Sequence, residues 1–386
     1  MRVLHVVPSF YPAWAYGGMP RCAYELCRAL VQLGVEVTVW TTDAYDATGR
    51  LPDTTAVADG ITIRRFPNLS NCLAYHRQFY IPRGLRKYAP LHVGEFDLLH
   101  LHSHRHLLQP FVAKPARRAR IPYIFTGNGT VPRVERHLSI KGLVDILGAR
   151  TFLRDAAACI AVAQAEVAHY RAAGVPRERI AVIPNGIRLE EFRTLPARGG
   201  FRQRYALGDA PLVLFVGKIT PRKGVDVLLR ALKRLPVNVQ LVVAGNFMMP
   251  EQPIRALAQS LCINERVRFV GLLSGSDKLA AFVDADVTAY PSRDEIFGLV
   301  PCESLMCGTA VVVCDDSGCG EWTAAAGGGI LVRYGDDAAL AAALRRLLQA
   351  PAERQRHASS GRRYIQEHLG WERVAQQTLA LYDSVL

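Results

Sequence analysis

Short apolar runs recur along the chain, each separated from the next by a helix-length amphipathic stretch. This alternation constrains the fold more than any other feature. RVLHVV (2–7) leads to RCAYELCRALVQLG (21–34) and then to VEVTVW (35–40). FDLLHLHS (96–103), IPYIFTG (121–127) and CIAVA (159–163) continue the plan. Runs this short and this apolar suit strands buried on both faces, with the stretches between them as covering helices. The expected class is α/β with a doubly wound, parallel sheet.

The pattern lapses once, at RTLPARGGFRQRYALGDAP (193–211), into charge, glycine and proline. It then restarts with LVLFVG (212–217), VQLVVAG (239–245), VRFVG (267–271), DVTAYPS (286–292), TAVVVC (309–314) and GGILV (328–332). Two doubly wound domains are therefore expected, 1–195 and 196–370, with a cleft between them. A length of 386 residues suits two such cores. The stretch WERVAQQTLALYDSVL (371–386) reads as an amphipathic helix with no strand after it.

Composition narrows the class. No run of eighteen apolar residues predicts a membrane span, and the opening MRVLHVVPSFYP reads as a buried strand rather than a signal peptide. Nine cysteines, an odd count without a CxxC pair, point to free thiols in a reducing cytosol. Cys302, Cys307, Cys314 and Cys319 do not have zinc-knuckle spacing, and buried thiols are the expectation there. The formal net charge is +13, of which the first 200 residues carry +11. Such an excess suits nucleic acid, an anionic bilayer or a phosphorylated substrate. RNA-binding motifs are missing, so no nucleic-acid partner is expected.

Ligands of doubly wound sheets sit at the carboxyl ends of the strands. After LVLFV comes GKITPRKG, where Lys218, Arg222 and Lys223 in a strand-to-helix turn suit a diphosphate. The Gly-Lys-Ser/Thr ending of a Walker loop is absent. After DVTAYPSRDE comes IFGLVPCESLMCG. There Gly298 predicts a tight turn and Pro301 a helix start, so the amides of Leu299 and Val300 form a second anion site. Glu295 and Glu303 bracket this turn and suit hydrogen bonds from sugar hydroxyls. Gly17 and Gly18 follow the first strand and allow close approach to a ligand. No GxGxxG argues for nicotinamide or flavin. In HLHSHRH, His100 is expected in the core and His102 at the ligand-facing end of its strand, without a metal. Asp284 and Asp286 read as caps rather than ion ligands.

Gly17-Gly18, VIPNGI (182–187), GKITPRKG and the Glu295-x7-Glu303 pair together resemble the retaining GT-B glycosyltransferases, in particular glycosyltransferase family 4. The resemblance spans nearly the whole chain. It implies two Rossmann-like domains, with a nucleotide-sugar donor, UDP- or GDP-linked, in the second and an acceptor in the first, and the last helix crossing back to the first domain. It places Lys218, Lys223 and the amides of Leu299 and Val300 on the diphosphate. It places Glu303 on the ribose, Glu295 on the hexose, Gly18 beside the phosphates, and Asn246 and Leu272 near the nucleotide. Two positions depart from the family pattern. Lys218 stands where arginine is usual, and Asn128 stands where many members carry histidine. An amide cannot transfer a proton, so His102 becomes the acid/base candidate. The implied reaction is same-face hexose transfer with no metal or other cofactor.

The segment YHRQFYIPRGLRKYAPLH (75–92) mixes cations with aromatics as a membrane-surface element would. The leading expectation is therefore a cytoplasmic enzyme, peripheral at the inner membrane face, that extends a lipid-linked or cell-envelope glycan. The alternatives are transfer to a soluble small-molecule or sugar-phosphate acceptor, and a non-enzymatic anion-binding protein.

Overall fold

The computed structural model describes residues 1–104, 106–131 and 151–386. Two compact units result, Met1–Gly186 with Trp371–Leu386, and Ile187–Gly370. The first holds an eight-stranded sheet in the order β3-β4-β2-β1-β5-β6-β7-β8. Its strands are β1 (Arg2–Val6), β2 (Glu36–Thr42), β3 (Thr55–Ala58), β4 (Ile61–Phe66), β5 (Leu98–His102), β6 (Tyr123–Thr126), β7 (Ala158–Ala161) and β8 (Ile180–Val182). All pairings are parallel except β3 with β4. The second unit holds a fully parallel sheet, β11-β10-β9-β12-β13-β14. Its strands are β9 (Leu212–Val216), β10 (Gln240–Ala244), β11 (Val267–Gly271), β12 (Val287–Tyr290), β13 (Val311–Cys314) and β14 (Gly329–Val332). Each run of the alternating pattern became a strand. The β3–β4 pair and β8 were not anticipated: β3 and β4 form an antiparallel edge, and β8 is only three residues long.

The division falls at Gly186, ahead of the 195/196 boundary expected from composition. Ile187 already belongs with the second unit, because its N–H donates to the Leu369 carbonyl at 2.7 Å and it pairs with Gly370. Gly186 stays with the first, where a Cβ would come within 2.4 Å of the Trp371 ring. Charge and glycine marked a loop inside the second unit, not the crossing itself.

Every residue of β5, including His100 and His102, is buried. His100 lies in register with His5 of β1. Imidazoles inside a sheet need partners, and these have them. His5 Nδ1 lies 3.0 Å from His102 Nε2. His100 Nδ1 lies 2.6 Å from the Tyr382 hydroxyl, and its Nε2 2.6 Å from Thr126 Oγ1. Tyr382 belongs to the helix Trp371–Val385, which packs on the helix Gly18–Gln32. The histidine cluster thus ties the last helix to the middle of the first sheet. Burial holds His5, His100, His102 and His106 neutral, with His102 and His106 pushed down to about 3.

These shifts fix a sign. The unfolded chain takes up protons on these histidines below about pH 6.5, where the folded chain does not. Stability is fully present above that pH and is lost as pH falls toward 3, by up to about 1.4 kcal/mol per pH unit for each histidine. Glu166, pushed up to about 7 by burial, opposes this between pH 7 and 4.5, but it is one group against four. The urea midpoint of the first unit is expected to fall between pH 7.5 and 5. Tyr382→Phe is expected to lower the unfolding free energy by ~1–3 kcal/mol at pH 7.5, and the midpoint with it, because a buried imidazole nitrogen loses its partner. Unchanged midpoints would contradict both expectations.

Candidate functional site

In the second unit, β9 and β12 lie side by side where the strand order reverses. The turns that leave their carboxyl ends are therefore neighbours. They touch at Gly224, whose φ is +67° and where a Cβ would fall 2.3 Å from the Pro291 carbonyl oxygen. Arg293 N–H donates to the Arg222 carbonyl at 2.9 Å, and the Arg222 guanidinium donates to the Asp294 carbonyl at 3.0 Å. The GKITPRKG turn and the Glu295 turn are thus one construction.

Its centre is an ion pair. Lys223 Nζ donates to Glu295 Oε2 and to the Tyr290 hydroxyl, and it lies 4.6 Å from the Tyr290 ring centroid. Ser292 Oγ (3.0 Å) and Tyr290 Oη (3.3 Å) donate to the same carboxylate oxygen. Burial works against ionisation of Glu295, but Lys223 and Arg222, with the hydrogen bonds from Lys223 and Ser292, outweigh it and hold the carboxyl below its usual range. The Glu295 carbonyl also accepts from Ser317 Oγ (2.8 Å) and Cys319 N–H (3.0 Å). Lys218, at the start of the first turn, is exposed by surface area. Partial loss of hydration at its ammonium and the positive Lys223 nearby nonetheless lower its proton affinity.

The helix Leu299–Met306 starts at Gly298, which is in the left-handed region, and no side chain caps its first turn. Its N–H groups at Leu299 and Val300 are the kind that bind anions. Glu303, one turn in, pairs with Lys278 at 2.8 Å, both largely buried. Asn246 is exposed, and its carbonyl accepts the Ile219 N–H at 2.9 Å, which joins the turns after β9 and β10. Leu272, just past β11, is 70% exposed. The second unit therefore brings Lys218, Lys223, Glu295, Gly298, Leu299, Val300 and Glu303 to the carboxyl edge of one sheet, with Asn246 and Leu272 along it. Asp284 and Asp286 sit at the opposite edge, where Asp284 accepts the Gly199 and Arg202 N–H groups at 2.5 and 2.9 Å. They are caps.

The first unit holds the remaining candidates. Gly17 (φ 107°) precedes the helix Gly18–Gln32, whose first residue Gly18 is exposed. His102 does not reach solvent as expected: it is 2% exposed. Its imidazole is bound to His5, and burial makes it a poor proton acceptor. It lines a cavity of about 20 Å³ together with Asn128, Asn185 and Trp371. Asn128 Oδ1 accepts from Asn185 Nδ2 at 3.1 Å.

Among the described residues, His5, His100 and His102 group three possible metal ligands within 4.8 Å. The His100 and His102 rings are nearly parallel with centroids 4.1 Å apart, and His5 and His102 are stacked at 5.2 Å. These nitrogens are already engaged, His5 with His102 and His100 with the Tyr382 hydroxyl and Thr126 Oγ1. The cluster is a core network.

Sequence reasoning missed Lys278, Tyr290, Ser292 and Asn185. Asn185 lies within VIPNGI and Tyr290 and Ser292 directly before Glu295, so their positions carried a signal. Lys278 carried none. Glu295→Gln is expected to cost the second unit ~3 kcal/mol, because Lys223 and Arg222 would face a neutral amide. A thermal melt within experimental error of the parent would contradict the central place given to this pair.

The family model described as Glycosyltransferase Family 4 matches residues 16–191, and that described as Glycosyl transferases group 1 matches residues 200–364. The D-inositol 3-phosphate glycosyltransferase of Xylanimonas cellulosilytica is 31% identical over 405 residues, covering 99% of this chain and 95% of the relative. The protein of the same name from Thermomonospora curvata is 31% identical, covering 95% and 90%. Among solved structures, Anabaena HepE in complex with UDP superposes with a TM-score of 0.79 at 20% identity over the whole of both chains. Sucrose-phosphate synthase of Thermosynechococcus elongatus does so at 0.76 and 23%, covering 100% of this chain and 98% of that one.

Proposed function

The chain belongs to the GT-B glycosyltransferases of the family 4 type, and from that premise we propose that it moves a hexose from a nucleoside-diphosphate sugar to a hydroxyl of a small phosphorylated acceptor, with retention and without a metal. One observation carries the acceptor: relatives aligned over nearly the full chain bear the name D-inositol 3-phosphate glycosyltransferase. The excess positive charge of the first 200 residues suits a phosphorylated acceptor.

A lipid-linked or envelope glycan, the leading expectation from the sequence, takes second place. Its support was the segment 75–92. There Tyr80, Leu85 and Ala89 turn into the core of the first unit, and Arg77, Arg83, Arg86 and Lys87 face solvent. Leu91 alone among the large apolar side chains of this segment is strongly exposed, at 78%. The apolar half of the pattern is spent on the protein's own interior. What remains is a basic surface suited to an anionic bilayer or to anionic solutes. No helix among the described residues is long and apolar enough to cross a membrane.

The donor reading rests on the carboxyl edge of the second sheet. Lys218, Lys223 and the amides of Leu299 and Val300 would receive the diphosphate. An ammonium has three N–H donors, and among the described residues Glu295 and Tyr290 take two from Lys223, which leaves one for a phosphate oxygen. As the anomeric C–O bond to the diphosphate breaks, negative charge grows on the leaving oxygen, and these groups stabilise it. The acceptor oxygen bonds to the anomeric carbon on the same face, and its proton passes to the departing phosphate. Glu295 would hold hexose hydroxyls and Glu303 those of the ribose. Asn128 would hydrogen-bond the acceptor. With His102 held neutral in the core, the phosphate is the better proton acceptor.

Purified protein is to be screened with UDP-glucose, GDP-mannose and ADP-glucose, with and without D-inositol 3-phosphate, in the presence of EDTA. Transfer to the soluble acceptor with one donor is expected. Transfer only to lipid-linked acceptors, with retention on anionic vesicles at low salt, would restore the second reading. Lys223→Ala and Glu303→Ala are each expected to weaken donor binding about ten- to a hundredfold, the size of a lost charge-assisted hydrogen bond. Unchanged donor affinity in both would remove the donor site from this edge.

A further inference from the structure

The helix Gln164–Ala172 buries two polar side chains four residues apart, Glu166 and Tyr170, both fully inaccessible. Neither takes part in the chemistry above. Glu166 Oε1 accepts the Gly129 N–H at 2.6 Å, and Oε2 accepts the Val162 N–H at 2.9 Å. The Tyr170 hydroxyl accepts the Gly127 N–H at 2.6 Å and donates to the Ile160 carbonyl at 2.8 Å. Gly127 and Gly129 flank Asn128, while Ile160 and Val162 lie at the end of β7. One helix therefore fastens the loop after β6 to its neighbouring strand on both sides of Asn128.

The loop needs fastening. Asn128 has φ 49°, a left-handed conformation that is uncommon outside glycine and that asparagine tolerates better than most residues. A Cβ at Gly127 would lie 2.9 Å from the Tyr170 hydroxyl, so the backbone is seated directly on the clamp. Thr130 Oγ1 closes the turn on the Gly127 carbonyl at 2.5 Å. The residue type is also informative. Two N–H groups from separate segments converge on one side chain, which must accept twice and donate nothing. An ionised carboxylate, the form Glu166 takes above about pH 7, does so, whereas a glutamine of the same shape would turn its NH2 toward one of the two N–H groups.

We infer that Glu166, with Tyr170, is a positioning residue of the acceptor side: through the Gly127–Gly129 backbone it sets the Asn128 amide against the acceptor. The inference rests on the reading of Asn128 as an acceptor-side residue, and it adds what determines that residue's geometry. Glu166 touches neither substrate.

The full chain is compared with its Glu166→Gln, Asn128→Ala and double variants. Amide hydrogen exchange over 127–129 is measured, with KM for D-inositol 3-phosphate and KM for the nucleotide-sugar it uses. Glu166→Gln is expected to speed exchange in the loop and to raise the acceptor KM roughly tenfold, the scale of one buried N–H left unpaired. The donor KM stays as in the parent, and the double variant is no worse than Asn128→Ala alone. Tyr170→Phe, which leaves the carboxylate in place, is expected to shift the same two quantities in the same direction. Unchanged exchange, equal effects on donor and acceptor KM, or a silent Asn128→Ala would each overturn the inference. If the parent does not use D-inositol 3-phosphate, the functional reading fails separately. Loop exchange in Glu166→Gln then decides the clamp alone, with parent-like protection overturning it.

Discussion

A strand whose side chains are all buried can present polar groups to a ligand only at its ends. β9, β12 and β13 are of this kind, and β5 is too. The constraint concentrates the chemistry of the second unit into the turns that leave β9 and β12. It also explains why those turns are so tightly joined. Cations and carboxylates gathered at one sheet edge must be held against their own repulsion and desolvation, and the Lys223–Glu295 and Lys278–Glu303 pairs do this. Each carboxylate is fixed by a lysine, so on the proposed donor reading it is already oriented for a ligand.

β5 is the exception that shows the rule from the other side. Two of its five side chains are imidazoles inside the sheet, and they are tolerable there only because His5, Thr126 and Tyr382 supply partners. The sequence HLHSHRH suggested a residue at the rim, since alternate positions share a face. Periodicity assigned the face correctly but could not tell that His5, ninety-seven positions away, would close over His102.

The same distinction runs through the rest of the molecule. Buried runs with helices between them were legible, because both faces of a parallel sheet demand continuous apolar stretches. The β3–β4 edge was not, since an antiparallel edge pair needs no such run. Glycine-flanked turns with lysine and the spaced glutamates were legible because their chemistry is local. Lys278 and Glu166 were not, since Glu303 and Gly129, which they bind, lie 25 and 37 positions away and nothing in their own surroundings marks them. The segment 75–92 was amphipathic as read, but its pattern alone did not say whether the apolar side faced lipid or the core, and burial of Tyr80 and Leu85 supplied the answer.

The first unit is assembled from two separate stretches of chain, with the whole of the second unit inserted between Gly186 and Trp371. During synthesis the sheet of the first unit emerges nearly two hundred residues before the helix that carries Tyr382. Until that helix arrives, His100 lacks its hydroxyl partner and Gly186 lacks the indole it packs against. The nascent first unit is therefore an incomplete object for as long as the second is being made. A gene fragment cut at residue 186 would encode that unfinished state rather than a free-standing domain.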